Sequence, residues 1–114
     1  MIKCKSPREI ELIRQAGAIV AGALSTAAAL AKPGITTKSL DEAVVKYIQE
    51  KGGKAAFKGY RGYPANICVS VNEEVVHGIP DKRILKAGDI VSVDIGVGYQ
   101  GYYADAALTV PVVK

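Results

Sequence analysis

Residues that often reveal a protein's chemistry are scarce in this 114-residue sequence, which has only two cysteines and one histidine. Cys4 and Cys68 have no recognisable motif spacing, so they predict no disulfide framework. The longest apolar stretch, Ala16 to Ala31, is mostly alanine and glycine, and we predict that it is too short and too weakly hydrophobic to cross a bilayer. No apolar segment follows the first five residues, so no secretory signal is expected. These absences favour a cytoplasmic protein without a membrane segment.

The charge balance is moderately basic, with 15 Lys and Arg against 11 Asp and Glu and a net charge of +4. A composition of 49% hydrophobic and 23% charged residues is typical of a folded globular chain. Basic residues cluster at Lys3, Lys5 and Arg8, and again at Lys82, Arg83 and Lys86. The clusters fit either an anionic partner such as ribosomal RNA or a solvated surface. No aromatic-basic RNA-binding motif supports RNA or ribosome contact, and the solvated surface is favoured.

Two helices are predicted in the first half of the chain. Ser6-Pro7-Arg8-Glu9 is a capping box with proline at the first helical position. Apolar residues follow close to the helical period, at Ile13, Ala16, Val20, Leu24, Ala27 and Leu30. Lys32-Pro33-Gly34 ends this helix, and Thr36 or Thr37 caps a second one that ends before Gly52-Gly53. Its predicted buried side carries Leu40, Val44, Tyr47 and Ile48.

The second half is predicted to form strands. Cys68–Val71 and Val75–His77 flank a predicted hairpin turn, and 90–97 and 101–110 form the strongest strand pair. The stretch Ala55 to Ala65 has no period. Helices therefore precede strands, which predicts an α+β class with two helices packed on a mainly antiparallel sheet. We expect residues 1–114 to form a single domain.

Two aspartates on the final strand pair are the strongest candidates for chemistry. If Tyr99 and Gln100 form a two-residue turn, Asp94 faces Asp105, with both carboxylates on one face and Cβ atoms about 4.5–5.5 Å apart. Such like charges need a shared proton, a basic neighbour or a cation. Oxygen ligands suit Mn²⁺ and Fe²⁺, with Co²⁺ and Zn²⁺ also possible. The alternative is a longer turn with a different register, which would leave two ordinary exposed aspartates.

His77 is the only histidine, and it lies at the end of a predicted strand beside Gly78. A single histidine without a partner motif is often structural. An imidazole at a strand end could instead donate a hydrogen bond or shuttle a proton near pH 7. Both interpretations stay open on the residues alone.

Several segments together resemble the type I methionine aminopeptidases, and the resemblance extends over essentially the whole chain. They are the Pro7-containing start, Pro33-Gly34, Phe57–Pro64, Asn72–Pro80, Gly88–Asp94 and Gly101–Asp105. The resemblance implies the pita-bread (creatinase/aminopeptidase-like) fold, in which two similar α+β halves enclose a dinuclear metal centre. That family removes the initiator methionine from new proteins, and this chain corresponds to its N-terminal half.

The resemblance also implies roles for individual residues. Asp94 would chelate one divalent ion, Asp105 would bridge two, and His77 would contact the substrate and stabilise the developing tetrahedral intermediate. The pocket for the methionine side chain would be lined by Phe57, Tyr60, Tyr63 and Cys68. Plain core packing remains an alternative for Phe57 and Cys68.

The departures from the family pattern limit the expected activity. The family takes one further histidine and two glutamates as metal ligands from its second half, so this half lacks three of five expected ligands. Tyr103-Ala104 replaces the usual His-Gly, and Ala106 stands where threonine is common. We therefore expect an excised, engineered or ancestral-type half with weak or no activity alone. Its expected partner is a second copy or a complementary C-terminal half, and its substrates, if active, are peptides beginning with Met. The alternative is a non-catalytic pita-bread scaffold or module that binds protein or RNA.

Overall fold

The computed structural model describes residues 6–55, 67–72 and 83–113, in which two helices pack against an antiparallel sheet. Helix α1 spans Pro7–Leu30 and helix α2 spans Thr37–Glu50. The strands are β1 Lys54–Ala55, β2 Cys68–Val71, β3 Ile90–Tyr99 and β4 Tyr102–Pro111. The predicted α+β class, with helices packed on a mainly antiparallel sheet, is confirmed.

The predicted helix starts are confirmed by their capping hydrogen bonds. Glu9 N donates to Ser6 Oγ at 3.1 Å, and Ser6 N donates to Glu9 Oε1 at 3.0 Å, so the capping box is complete. Thr36 caps α2, where its Oγ1 accepts from Ser39 N at 3.1 Å. These bonds satisfy amide donors that have no partner within the helix.

The two helices approach closely because Gly22 has no side chain. A Cβ atom at Gly22 would overlap the hydroxyl group and ring of Tyr47 on α2. The aromatic ring of Tyr47 therefore lies on the bare backbone of α1. Small and branched apolar residues complete the buried side of α1, namely Ala16, Ile19, Val20, Ala23 and Ala27.

Strand β3 is the centre of the described sheet. β4 pairs along its whole length, so β1 and β2 share the opposite edge of β3. β1 pairs with the end of β3, at Ala55 and Val97, and β2 pairs with its start. One face of β3 is fully buried and contributes Val91, Val93, Ile95 and Val97 to the core. α1 packs over β3 and β4, while α2 packs on α1 and β1.

Helix α1 is longer than the apolar stretch Ala16 to Ala31. It has 24 residues, and an 18-residue window within it has a mean hydropathy of 1.3. By length and composition alone it could cross a membrane, whereas the sequence predicted a stretch too short and too weakly hydrophobic. The difference arises because helical residues before Ala16 extend the segment. The buried side of α1 packs against β3 and β4, as in a core helix. Core helices of soluble proteins can have the same length and hydropathy as a membrane span.

Candidate functional site

The turn between β3 and β4 sets the geometry of the two candidate aspartates. Gln100 and Gly101 both have positive φ, at 47° and 87°, as a two-residue type I′ turn requires. Tyr99 pairs with Tyr102 and belongs to the strands. The predicted Tyr99–Gln100 turn is therefore wrong by one residue. The physical reason is that glycine readily takes the second turn position, whereas a turn starting at Tyr99 would put a bulky aromatic residue at positive φ.

This turn changes which residues face each other. Asp94 pairs with Ala107, and Asp105 pairs with Gly96, so the predicted direct pairing of Asp94 with Asp105 is wrong. The register moves by two positions, and side chains alternate with a period of two. Both aspartates consequently remain on the same face, as predicted. They are diagonal neighbours, for which Cα atoms lie about 7–8 Å apart.

The diagonal arrangement separates the two carboxylates further than a direct pair would. Asp94 faces alanine and Asp105 faces glycine, so no bulky side chain stands directly across from either carboxylate. The larger separation also reduces repulsion between the two like charges. Carboxylate oxygens that can converge over small residues are a donor set that fits a hard or borderline divalent cation.

We call the sheet surface turned away from the helices the acid face. It consists of Cys68, Ser70, Ile90, Ser92, Asp94, Gly96, Gly98, Tyr103, Asp105, Ala107, Thr109 and Pro111. Asp94 is half-buried and Asp105 is exposed. The hydroxyls of Ser92 and Thr109 share a hydrogen bond of 2.9 Å beside the aspartates. Within residues 6–55, 67–72 and 83–113, no three His, Cys, Asp or Glu side chains form a group that could hold a metal ion.

Cys68 is the predicted pocket residue that the structure places beside the aspartates. It pairs with Asp94 across β2 and β3, and its side chain is 7% exposed. A predicted pocket residue and a predicted metal ligand are thus direct neighbours. The other predicted site residues, His77, Phe57, Tyr60 and Tyr63, lie outside the described residues, as does the predicted strand 75–77.

Tyr103 forms an aromatic wall at one end of the acid face. It is 73% exposed, and a Cβ atom at its strand partner Gly98 would lie 2.9 Å from Tyr103 Cε1. The ring therefore rests on the glycine backbone, two residue pairs beyond Asp105 and next to it on the same face. A cavity of about 400 Å³ beside it is also lined by Lys54, Tyr99 and Gln100.

Asp89 lies just before β3, at the end of that strand away from Tyr103, and it holds the end of β2 beside the start of β3. Asn72 Nδ2 donates to Asp89 Oδ1 at 3.0 Å, and Lys86 N donates to Oδ2 at 2.9 Å. The bond from Asn72 is the main cause that lowers the pKa of Asp89 below its usual value, with the Lys86 amide second. Asn72 Oδ1 also accepts from Ile90 N at 2.9 Å, so this network holds the start of β3 in place.

The sequence reasoning missed Asp41, a buried carboxylate on α2. Its side chain is 7% exposed and accepts a hydrogen bond from Ile67 N. A charged residue on a helix is usually solvated, so composition gives no signal for this position. Only its spacing, directly after Leu40 and three residues before Val44, hints at the buried side of the helix.

Comparison with known sequences identifies the class of protein. Residues 11–114 match the profile of Metallopeptidase family M24, and the chain belongs to this family. It is 52% identical over 112 residues to methionine aminopeptidase 1 of Bacillus subtilis, which covers 98% of this chain and 45% of that protein. The methionine aminopeptidase of Clostridium acetobutylicum is 51% identical over 110 residues, or 96% of this chain and 44% of the relative. The chain thus spans about half the length of the curated relatives it matches.

Solved structures support the same assignment. Methionine aminopeptidase from Thermotoga maritima matches with a TM-score of 0.93 at 49% identity, over 100% of this chain and 46% of that one. Methionine aminopeptidase from Rickettsia prowazekii also matches with a TM-score of 0.93, at 35% identity, over 100% of this chain and 46% of that one. The Xaa-Pro dipeptidase from Bacillus anthracis shares the fold, with a TM-score of 0.81 at 22% identity over 96% of this chain and 30% of that one. The predicted resemblance to type I methionine aminopeptidases and the predicted half of a pita-bread fold are confirmed.

Proposed function

We propose that residues 1–114 form one domain, the N-terminal half of a methionine aminopeptidase-like metallohydrolase. The observation that carries this proposal is the diagonal placement of Asp94 and Asp105 on one face, each opposite a small residue. The similarity to methionine aminopeptidases supports the reaction, and membership of a metallopeptidase family supports a divalent metal cofactor.

In this proposal Asp94 would be a ligand of one divalent ion and Asp105 a ligand shared by two, with Co²⁺, Mn²⁺, Fe²⁺ and Zn²⁺ as the candidates. When bound, the ions would supply the Lewis acidity and the activated water that peptide hydrolysis requires. His77 would contact the substrate beside the scissile bond. Cys68, together with Phe57, Tyr60 and Tyr63, would line the pocket that accepts the N-terminal methionine of a peptide.

Activity of this half alone is proposed to be weak or absent. Two carboxylates are fewer donors than divalent ions take in stable protein sites, and we propose that a partner supplies further ligands. The acid face is suited to receive one, since Asp105 is exposed and the large side chains of Tyr103 and Ile90, 73% and 52% exposed, stand at its two ends. We propose a complementary C-terminal half or a second copy as the partner. Light scattering across a concentration series tests the homodimer, and a monomer at high concentration would refute it.

Calorimetric titration of Co²⁺ or Mn²⁺ into the metal-free protein tests the metal site. We expect saturable binding of about half or one ion per chain, since two chains can share a site. The isosteric variants Asp94→Asn and Asp105→Asn should abolish binding, because each removes an anionic ligand from the acid face. Glu42→Gln is the matched control, since Glu42 is an exposed carboxylate on α2. This control should bind as the wild type does.

The outcomes separate the proposed function from its alternative. Saturable binding that is lost in both aspartate variants and kept in the control supports a half-site, and assays on Met-Ala peptides then measure any activity. Absence of binding in the wild type contradicts the metal site and favours a non-catalytic scaffold or binding module. Salt-dependent RNA affinity would identify that module as an RNA binder.

A further inference from the structure

Asp41 is one of two buried polar residues in the described part of the chain, and the only acidic one there. It lies on α2 beside Leu40 and one turn before Val44, both of which are fully buried. Burial of a carboxylate costs free energy unless hydrogen bonds compensate. An apolar residue of similar size at this position would avoid that cost. The carboxylate therefore needs a geometric explanation.

A hydrogen bond between Asp41 and the residue just before β2 provides that explanation. Asp41 Oδ1 accepts a hydrogen bond of 2.9 Å from the backbone N–H of Ile67, which lies 26 residues away in the sequence. Ile67 is fully buried and directly precedes β2. The β2–β3 pairing begins only at Cys68, so the amide of Ile67 lies outside that ladder. Asp41 thus links helix α2 to the point where β2 enters the sheet.

We propose that Asp41 is a positioning residue that sets the place of Cys68 against Asp94. β2 has only four residues, and its first residue, Cys68, is the one that pairs with Asp94. A short strand has few ladder hydrogen bonds, so an anchor at Ile67, the residue just before β2, has a large effect on where Cys68 lies. The functional meaning of this anchor rests on the proposed function, in which Cys68 lines the pocket and Asp94 binds metal.

The reactivity of the Cys68 thiol tests the anchor without using metal. A Cys4→Ser background leaves Cys68 as the sole thiol. The rate at which Cys68 reacts with a disulfide reagent such as DTNB reports local opening of the buried strand. We expect Asp41→Leu to raise this rate about 10- to 100-fold, the factor that corresponds to leaving a buried amide donor without this acceptor. Asp41→Asn keeps an acceptor oxygen in the same place, so it should stay within about threefold of the wild type.

Val44→Ala is the matched control, because it removes buried apolar packing from the same helix and keeps the hydrogen bond between Asp41 and Ile67. Urea unfolding of every variant gives the global stability loss, and the thiol rate is compared with that loss. If Asp41 positions Cys68, Asp41→Leu speeds the thiol reaction by more than its loss in free energy of unfolding predicts. Val44→Ala does not. Equal behaviour of the two variants, or an unchanged rate in Asp41→Leu, overturns the proposal. If leucine prevents folding, Asp41→Ala takes its place.

Co²⁺ affinity gives a second readout that separates this inference from the proposed function. We expect Asp41→Leu to weaken Co²⁺ binding about tenfold while Asp41→Asn leaves it close to wild type, because the neighbour of Asp94 is displaced only in the former. Absence of Co²⁺ binding in the wild-type protein would contradict the proposed function alone. The thiol rates would still decide whether Asp41 positions Cys68.

Discussion

The crossing of α1 and α2 provides a quantitative test of the structure through two glycines of one helix. A methyl group at Gly17 would meet no atom within 4 Å, whereas a methyl group at Gly22 would overlap Tyr47. Alanine is favoured over glycine by about 1 kcal/mol in a helix interior, and both substitutions receive that gain. Only Gly22→Ala also incurs overpacking, which costs about 1–3 kcal/mol. The difference between the two variants therefore isolates the cost of displacing Tyr47.

We expect Gly17→Ala to raise the free energy of unfolding by about 1 kcal/mol. Gly22→Ala should be lower than Gly17→Ala by about 1–3 kcal/mol. Urea unfolding followed by far-UV circular dichroism measures both, provided that the m-value is unchanged. In a Tyr47→Ala background the clash is absent, so Gly22→Ala should then stabilise the protein as Gly17→Ala does. Equal stabilisation by both glycine substitutions in the wild-type background would refute the close crossing.

Three further predictions concern the sheet and its ends. The pKa of Asp89 is lowered chiefly by the hydrogen bond from Asn72, so its stabilisation is present above its usual pKa and is lost as pH falls below about 4. The Tm of Asp89→Asn should therefore fall less steeply between about pH 4 and pH 2 than the Tm of the wild type. Parallel curves would contradict this. The Tyr102 hydroxyl donates to Glu9 Oε2 at 3.0 Å, which raises the pKa of Tyr102, so this stabilisation is present below about pH 10 and lost at higher pH. The Tm of Tyr102→Phe should therefore lie closer to that of the wild type at about pH 11 than at about pH 8. A constant difference in Tm would count against the bond. Gln100 has a φ of 47° in a type I′ turn, so Gln100→Asn should add roughly 0.5 kcal/mol to the unfolding free energy measured in urea, and a loss would contradict the turn assignment.

The helix boundaries could be predicted because their signals are local. Ser6 and Glu9 satisfy two backbone donors at the start of α1, Pro7 there has no N–H to satisfy, and Thr36 accepts from Ser39 N at the start of α2. These contacts involve neighbours in the sequence, so no tertiary information is needed. The alternation of β3 and β4 was equally readable, and it correctly placed Asp94 and Asp105 on one face.

The register of the β3–β4 hairpin could not be predicted from that alternation. The segment Gly98–Gly101 has glycine at both ends, so more than one two-residue turn was compatible with the pattern. The preference for glycine at the second position of a type I′ turn favours Gln100-Gly101, and this chemistry decided the register. The error moved Asp105 from the direct partner of Asp94 to its diagonal neighbour without changing the face.

Two other features depend on tertiary contacts that the sequence does not display. Strand β1 has only two residues, Lys54 and Ala55, and it exists because it pairs with the end of β3. Burial of Asp41 depends on where β2 begins, and the residue before β2, Ile67, lies 26 residues beyond Asp41. Such long-range dependence explains why neither feature has a local signature.

The location of both aspartates on one hairpin has a consequence for folding. Strands β3 and β4 are joined by only two residues, so the segment from Asp94 to Asp105 can bring its carboxylates together without the rest of the chain. Isolated hairpins form within about 1–10 μs, far faster than pairings between distant segments. A divalent ion that binds these carboxylates would stabilise the hairpin by mass action from the moment it forms. The supply of metal during synthesis would then influence how efficiently the sheet assembles, before any peptide reaches the site.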